Sequence, residues 1–446
     1  MAILLHNGII VNEDEQFNGS ILVEGERIAD IFRGDVPQSV MQQAEIVPCE
    51  GKYIFPGAID DQVHFREPGL THKASMYTES RAALAGGVTT FMDMPNVAPQ
   101  TTTIENLEEK LAIASQSAFA NYAFYFGATN TNIDQLRALD TSIACGVKVF
   151  MGSSTGNMLV DDEETLRKIF SEIHIPVAVH CEDEMTIQRN LAQYKAQYGD
   201  EIPFDCHPKI RSNEACFRST KKAVELAKKC GTRLHVLHLT TADEMDLFSS
   251  EPLAEKQITG EVCVHHLWFT DADYAEKGAL IKCNPAVKSE HDRNALRRAL
   301  ADGKIDVVAT DHAPHTLDEK LRPYTKSASG MPLVQHSVLA MIELCKQGVF
   351  SLPLMVRKMC HNPADLFGIE QRGYIRKGYF ADLVVADLQQ NTIVSKDTIL
   401  YKCGWSPFEG ITFSSKIERT FLNGTCVYEN GKILDIPKAK QITFRH

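Results

Sequence analysis

The chain has 446 residues, 44% hydrophobic and 23% charged, a balance that buries a core and excludes a disordered, collagenous or small staple-dependent scaffold. Its 58 acidic residues outnumber 46 basic ones, for a formal charge of −12, which argues against a nucleic-acid partner and leaves small polar substrates open. The 12 cysteines contain no C-x-x-C and fit a reducing, cytoplasmic compartment, while the N-terminal apolar patch is too short for a signal peptide or membrane span.

The first strands, AILLHNGIIV and GSILVEGERIADIF, alternate apolar and polar residues around E-G and N-G turn signals, the pattern of antiparallel hairpins. From Lys52 to about Pro314 eight short β-type runs then alternate with helical stretches. The runs are YIFPGAID (53–60), VTTFMDM (88–94), NYAFYFGAT (121–129), CGVKVFM (145–151), IPVAVHCE (175–182), LHVLHL (234–239), ITGEVCVHHL (258–267) and KIDVVATDHAP (304–314). Helical spacing falls between them, as at Ile104–Ile113, Thr165–Ile173, Cys216–Cys230 and His291–Leu300. This pattern predicts an α/β fold, a (β/α)8 TIM barrel whose site lies at the C-terminal strand ends. GYFADLVVADL and SKIERTFLNGTCVYENGKIL return to hairpin grammar. Residues 1–51 and 368–446 are therefore expected to form one small β-sandwich domain from both ends of the chain, around a barrel of 52–367. The stretch Asp318–Gly330 has no clear periodicity and follows the eighth strand, where a barrel places an active-site loop.

Ligand-type residues gather at these strand ends. Asp60-Asp61-Gln62-Val63-His64-Phe65-Arg66 follows strand one, Lys148 lies on strand four, His180 ends strand five, His235 and His238 lie on strand six, and Asp311-His312 ends strand eight. A lone histidine at a strand end is more often a hydrogen-bonded core residue than a ligand. Donors from five strand ends facing one mouth are hard to explain that way, and neutral imidazoles with a carboxylate suit Zn²⁺, or less selectively Mn²⁺, Co²⁺ or Fe²⁺. Lys148 sits in a strand covered on both faces, where a bare ammonium has no cheap solution. Either its stem snorkels to the mouth and pairs with an acid, or its neutral amine adds CO2 to become a carbamate able to bridge two cations. His235, three before His238, is expected on the opposite strand face, in the packing. Cys181 is read as a buried thiol behind His180, and Trp268 and Trp405 as packing residues, Trp405 with a place along the channel.

Val63-His64-Phe65-Arg66-Glu67-Pro68-Gly69, Met94-Pro95-Asn96, the Lys148 strand, Val179-His180-Cys181-Glu182, Leu237-His238-Leu239-Thr240, Asn284-Pro285 and Ala309-Thr310-Asp311-His312-Ala313-Pro314-His315 together resemble the cyclic amidohydrolases of the amidohydrolase superfamily, and more narrowly the class I dihydroorotases. The likeness extends to Ser406-Pro407-Phe408-Glu409-Gly410 and to Gly378 with Ala381-Asp382-Leu383-Val384. It implies a hydroxide between two zinc ions held by a carbamate on Lys148. One zinc takes His180 and His238; the other takes His64, Asp311 and the residue at position 62. The family has His-x-His there, whereas this chain has Gln62-Val63-His64. Glutamine is a weaker zinc donor than imidazole, so the exposed metal is expected to be weakly held or absent, with Asp61 or water completing its shell. Asp311 becomes the general base and then general acid. Arg66 clamps a substrate carboxylate, and Asn96, Asn284 and His315 complete the substrate contacts, beside backbone N–H groups of the loop Ser327–Pro332.

The resemblance thus implies the zinc-dependent interconversion of N-carbamoyl-L-aspartate and dihydroorotate in pyrimidine synthesis, by a homodimer with a possible aspartate carbamoyltransferase association. Two other readings stand beside it. One is a dihydropyrimidinase, hydantoinase or allantoinase, whose substrates lack the carboxylate that Arg66 would clamp. The other is a catalytically silent scaffold of the same fold, supported by Gln62 and opposed by the presence of Lys148, His180, His238 and Asp311.

Overall fold

The computed structural model describes residues 2–152, 158–434 and 438–446. Eight parallel strands, Ala58–Val63, Val88–Asp93, Asn121–Gly127, Ala144–Phe150, Val177–His180, Leu234–Val236, Ile258–Cys263 and Val307–Ala309, lie side by side in chain order. The first and last meet through a parallel bridge between Val63 and His312, with His64 N donating to His312 O at 2.7 Å, which closes the barrel. Nearly every strand residue is buried, as a sheet covered on both faces requires.

The helices between the strands begin and end where local chemistry favours it. Ser212 caps Asn213–Cys230 by accepting from Ala215 N, and Gly231 ends it with a φ of 75° that only glycine adopts without strain. Ser289 and Asp292 form a reciprocal capping box for Glu290–Ala301. The four helical stretches read from periodicity lie within helices Ile104–Ser117, Glu163–Glu172, Asn213–Cys230 and Glu290–Ala301.

Both chain ends build a nine-stranded mixed sheet, whose longest member is Ala2–Asn12. That strand pairs antiparallel with Glu15–Glu24 along one edge. Along the other it pairs with Ala44–Pro48 over its first half and with Tyr53–Pro56 over its second. The sheet branches there and encloses a separate core of Leu5, Ile10, Ile21, Ile54, Leu383 and Phe421. Two details differ from the expected boundaries. Tyr53–Pro56 belongs to this sheet through Leu383–Asp387, and Gly57 is where the chain crosses into the barrel. The final residues also leave the sheet: Ile442 and Phe444 join Tyr125, Ala178, Leu237 and Phe367 in the cluster that fills the barrel floor.

Candidate active site

The mouth holds a cavity of about 380 Å³, lined by Gln62, His64, Arg66, Asn96, Lys148, His180, His238, Asn284, Asp311 and His315, all singled out from the sequence. Phe150, Ala313 and the loop residues Ala328, Ser329 and Gly330 complete the wall. Three of these residues, Arg66, His238 and Asp311, have left-handed backbone, with φ of 67°, 40° and 47°. Non-glycine residues rarely adopt this conformation, and here it turns side chains inward just past strand ends.

That turn corrects the expectation for His235. In a regular strand, residues three apart face opposite sides, but the sixth strand ends at Val236 and the left-handed His238 breaks the alternation. Both imidazoles therefore enter the barrel. His238 reaches the mouth, while His235 lies deeper, 3.1 Å from Asp61 and against Phe367. Asp61, considered as a replacement ligand at the mouth, is directed to His235 instead.

Hydrogen bonds set which nitrogen of each mouth histidine is free. His180 Nε2 lies 2.9 Å from Glu182 Oε2, so it carries the proton, and Nδ1 presents a lone pair to His238 Nε2 at 3.0 Å. Burial lowers the pKa of both histidines, His238 strongly, and keeps them neutral. Burial opposes the charge on Glu182, yet Arg211 and His180 outweigh it and hold that carboxyl at about 2. The same arrangement recurs at His64, where Nδ1 faces Asn96 Oδ1 at 2.8 Å and Nε2 lies 3.0 Å from Asp311 Oδ1. At His64 an acceptor thus confronts an acceptor, and a cation is what such a donor set holds; the two ring nitrogens of His180 and His238 converge in the same way. Gln62 donates its amide N–H to Asp311 at 3.3 Å. Lys148 lies 4.7 Å from the Phe150 ring, and burial pushes its ammonium down to about 8, partly offset by Asp311 and Glu261.

On the other wall, Arg66 Nε donates to Pro314 O, and its Nη2 lies 3.1 Å from His315 Nε2. Lys73 approaches the second nitrogen of His315, and Trp405 donates to its carbonyl. The loop read as unstructured begins with a short helix, Leu317–Lys320. Buried Lys320 then donates to the carbonyls of Lys282, Ala328 and Gly330 and fixes the rest against the cavity. Cys181 is buried, and burial raises its thiol to about 12, as expected of an inert neighbour. Glu182 was read only as part of the His180 motif and Lys320 not at all, because fixing a ligand or a loop from behind leaves no mark in local sequence.

A family model described as the amidohydrolase family matches residues 53–427, and the chain belongs to this family. A dihydroorotase of Methanosarcina acetivorans is 33% identical over 406 residues, covering 88% of this chain and 84% of its own. An allantoinase of Bacillus velezensis is 32% identical over 393 residues, covering 87% and 86%. Among solved structures, an L-hydantoinase (dihydropyrimidinase) from Arthrobacter aurescens matches with a TM-score of 0.92 at 28% identity, over 99% of each chain. The protein is a cyclic amide hydrolase acting on a small molecule. Among the described residues no helix is long and apolar enough to cross a membrane.

Proposed function

We propose that this hydrolase is a dihydroorotase, interconverting (S)-dihydroorotate and N-carbamoyl-L-aspartate in the cytoplasm. The observation that carries the reading is Arg66, whose guanidinium lines the cavity that holds the metal-type donors. Dihydroorotate and carbamoyl-aspartate present a carboxylate for it to clamp, which hydantoins and dihydropyrimidines lack. Dihydroorotase relatives at 33% identity over most of the chain support the same substrate.

The residues present fit divalent metal, most directly Zn²⁺. His180 and His238 would hold one ion, and His64 with Asp311 a second. Lys148, as a carbamate formed with CO2, would join the two, and Gln62 would contribute a weak neutral oxygen. When bound, such ions acidify water and polarise the scissile carbonyl. The chain's own residues do the rest. Asp311 accepts the proton of the attacking water and delivers it to the ring nitrogen as the amide bond breaks; in the cyclising direction the proton runs back. Asn96 fixes the ring of His64, and Glu182, clamped by Arg211, fixes the tautomer of His180. Arg66, with Asn284 and His315, orients the substrate so that its amide carbon faces Asp311 rather than the loop.

Purified protein supplied with zinc and bicarbonate should turn over dihydroorotate while leaving dihydrouracil, hydantoin and allantoin unchanged. Turnover of those neutral rings with none of dihydroorotate would establish the hydantoinase-type reading. Absence of both metal and turnover would establish the silent scaffold. Sedimentation, alone and with aspartate carbamoyltransferase, tests the homodimer and the enzyme association that the reading includes.

A further inference from the structure

Below the mouth, Asp61, His235 and Glu261 bring one donor atom each to within 4.8 Å of one another, all fully buried inside the barrel. Thr259 Oγ1 lies 2.8 Å from His235 Nδ1 and 3.2 Å from Leu234 O, and so orients the ring. The other ring nitrogen, Nε2, is directed at Asp61 Oδ2 at 3.1 Å and Glu261 Oε2 at 3.9 Å. Two buried carboxylates thus converge on one imidazole nitrogen. Asp61 Oδ1, Glu261 Oε2 and the hydroxyl of buried Tyr125 have no hydrogen-bond partner, and such groups are costly to leave unsatisfied.

We propose that Asp61, His235 and Glu261 form an inner site for a divalent transition-metal cation, Zn²⁺ or Mn²⁺, distinct from the donors at the mouth. Donors bound to one ion at about 2.1 Å lie no more than about 4.2 Å apart, so the observed separations close on an ion with small side-chain shifts. Two carboxylates and an imidazole suit these metals, and the Thr259 contact supplies the outer hydrogen bond that orients a ligating histidine. Glu261 also accepts from His238 N at 2.9 Å, which ties the inner site to a mouth histidine through one side chain. A cavity of about 320 Å³ at the barrel floor is lined in part by His235 and Thr259. The inference does not depend on which cyclic amide enters the mouth.

Anomalous diffraction from crystals of the full chain, purified without chelator and soaked in zinc or manganese, tests it. A peak among Asp61, His235 and Glu261 is expected, whether or not the mouth is loaded. A peak at His180 and His238 with none at the inner site would overturn the inference and leave the dihydroorotase reading standing; the two carboxylates would then share a proton. In solution, Asp61→Asn should lose about one metal equivalent per chain by elemental analysis. Thr259→Val, which removes the hydrogen bond that orients the His235 ring without removing a ligand, should weaken retention against a chelator. Unchanged metal content and retention in both variants would overturn the inference as well.

Discussion

At the scale of single residues, the site separates groups that hold metal from groups that hold substrate. Arg66 belongs to the second set, so Arg66→Met should lower kcat/KM for dihydroorotate about 10- to 100-fold, the worth of a charge-assisted clamp, in steady-state assays. Gln62 stands where an imidazole would bind better, and its amide is turned to Asp311. Gln62→His should therefore raise zinc retained after dialysis, measured by elemental analysis. Lys148 adds CO2 only as a neutral amine. Burial holds its ammonium at about 8, below the ordinary lysine value, so the neutral fraction grows as pH rises. Reactivation of metal-stripped protein by zinc, at a fixed concentration of dissolved CO2, should accelerate from pH 6 and level off above about pH 8. The mouth was legible in the sequence because most of its ligand types fall at the end of an apolar run, as Asp311 does after IDVVA, and Lys148 stands out as a charge inside one. The inner cluster was not, since His235 and Glu261 lie on the neighbouring sixth and seventh strands and only the barrel's closure brings Asp61 of the first strand to them.

At the scale of elements, the strand ends are held from behind by polar contacts that sequence periodicity does not reveal. Lys110, on the helix Ile104–Ser117, reaches Asp93 at 2.6 Å, and both side chains are fully buried. Asp93 in turn accepts from Phe65 N at 2.6 Å, directly before Arg66. Removing the lysine would leave a buried carboxylate without its cation, so Lys110→Met should destabilise the protein by about 3–5 kcal/mol in urea unfolding. A charged helix residue that the sequence did not single out thus supports the turn that presents the substrate clamp. Strand existence was legible from apolar runs, but sheet membership was not. Tyr53 to Ile59 reads as one continuous apolar stretch across both strands, and only Gly57, whose absent Cβ lets Thr89 approach, marks the change of sheet. The facing of His235 was misjudged for a related reason: alternation holds within a strand, and this one is only three residues long.

At the scale of the molecule, the terminal sheet and the barrel are joined at both ends. Arg445 N donates to Gly368 O, and Tyr122 N to Lys440 O, so the last residues lie across the barrel floor. Phe444→Ala should cost about 3 kcal/mol and lower the thermal midpoint, with little change in kcat, because its packing is far from the mouth. The nine non-glycine residues with left-handed backbone, among those described, also divide by region. Six lie in the terminal sheet and the connection leading into it, at Asn7, Glu13, Asp14, Gln371, Asn423 and Asn430, mostly types that tolerate such backbone. The other three are Arg66, His238 and Asp311. Glycine would be the easier residue at each of them, so only the chemistry of the mouth gives natural selection a reason to keep the residues found there. A lineage that had stopped turning over substrate would relax these positions first. In this chain the left-handed backbone of the barrel thus falls where its side chains line the mouth.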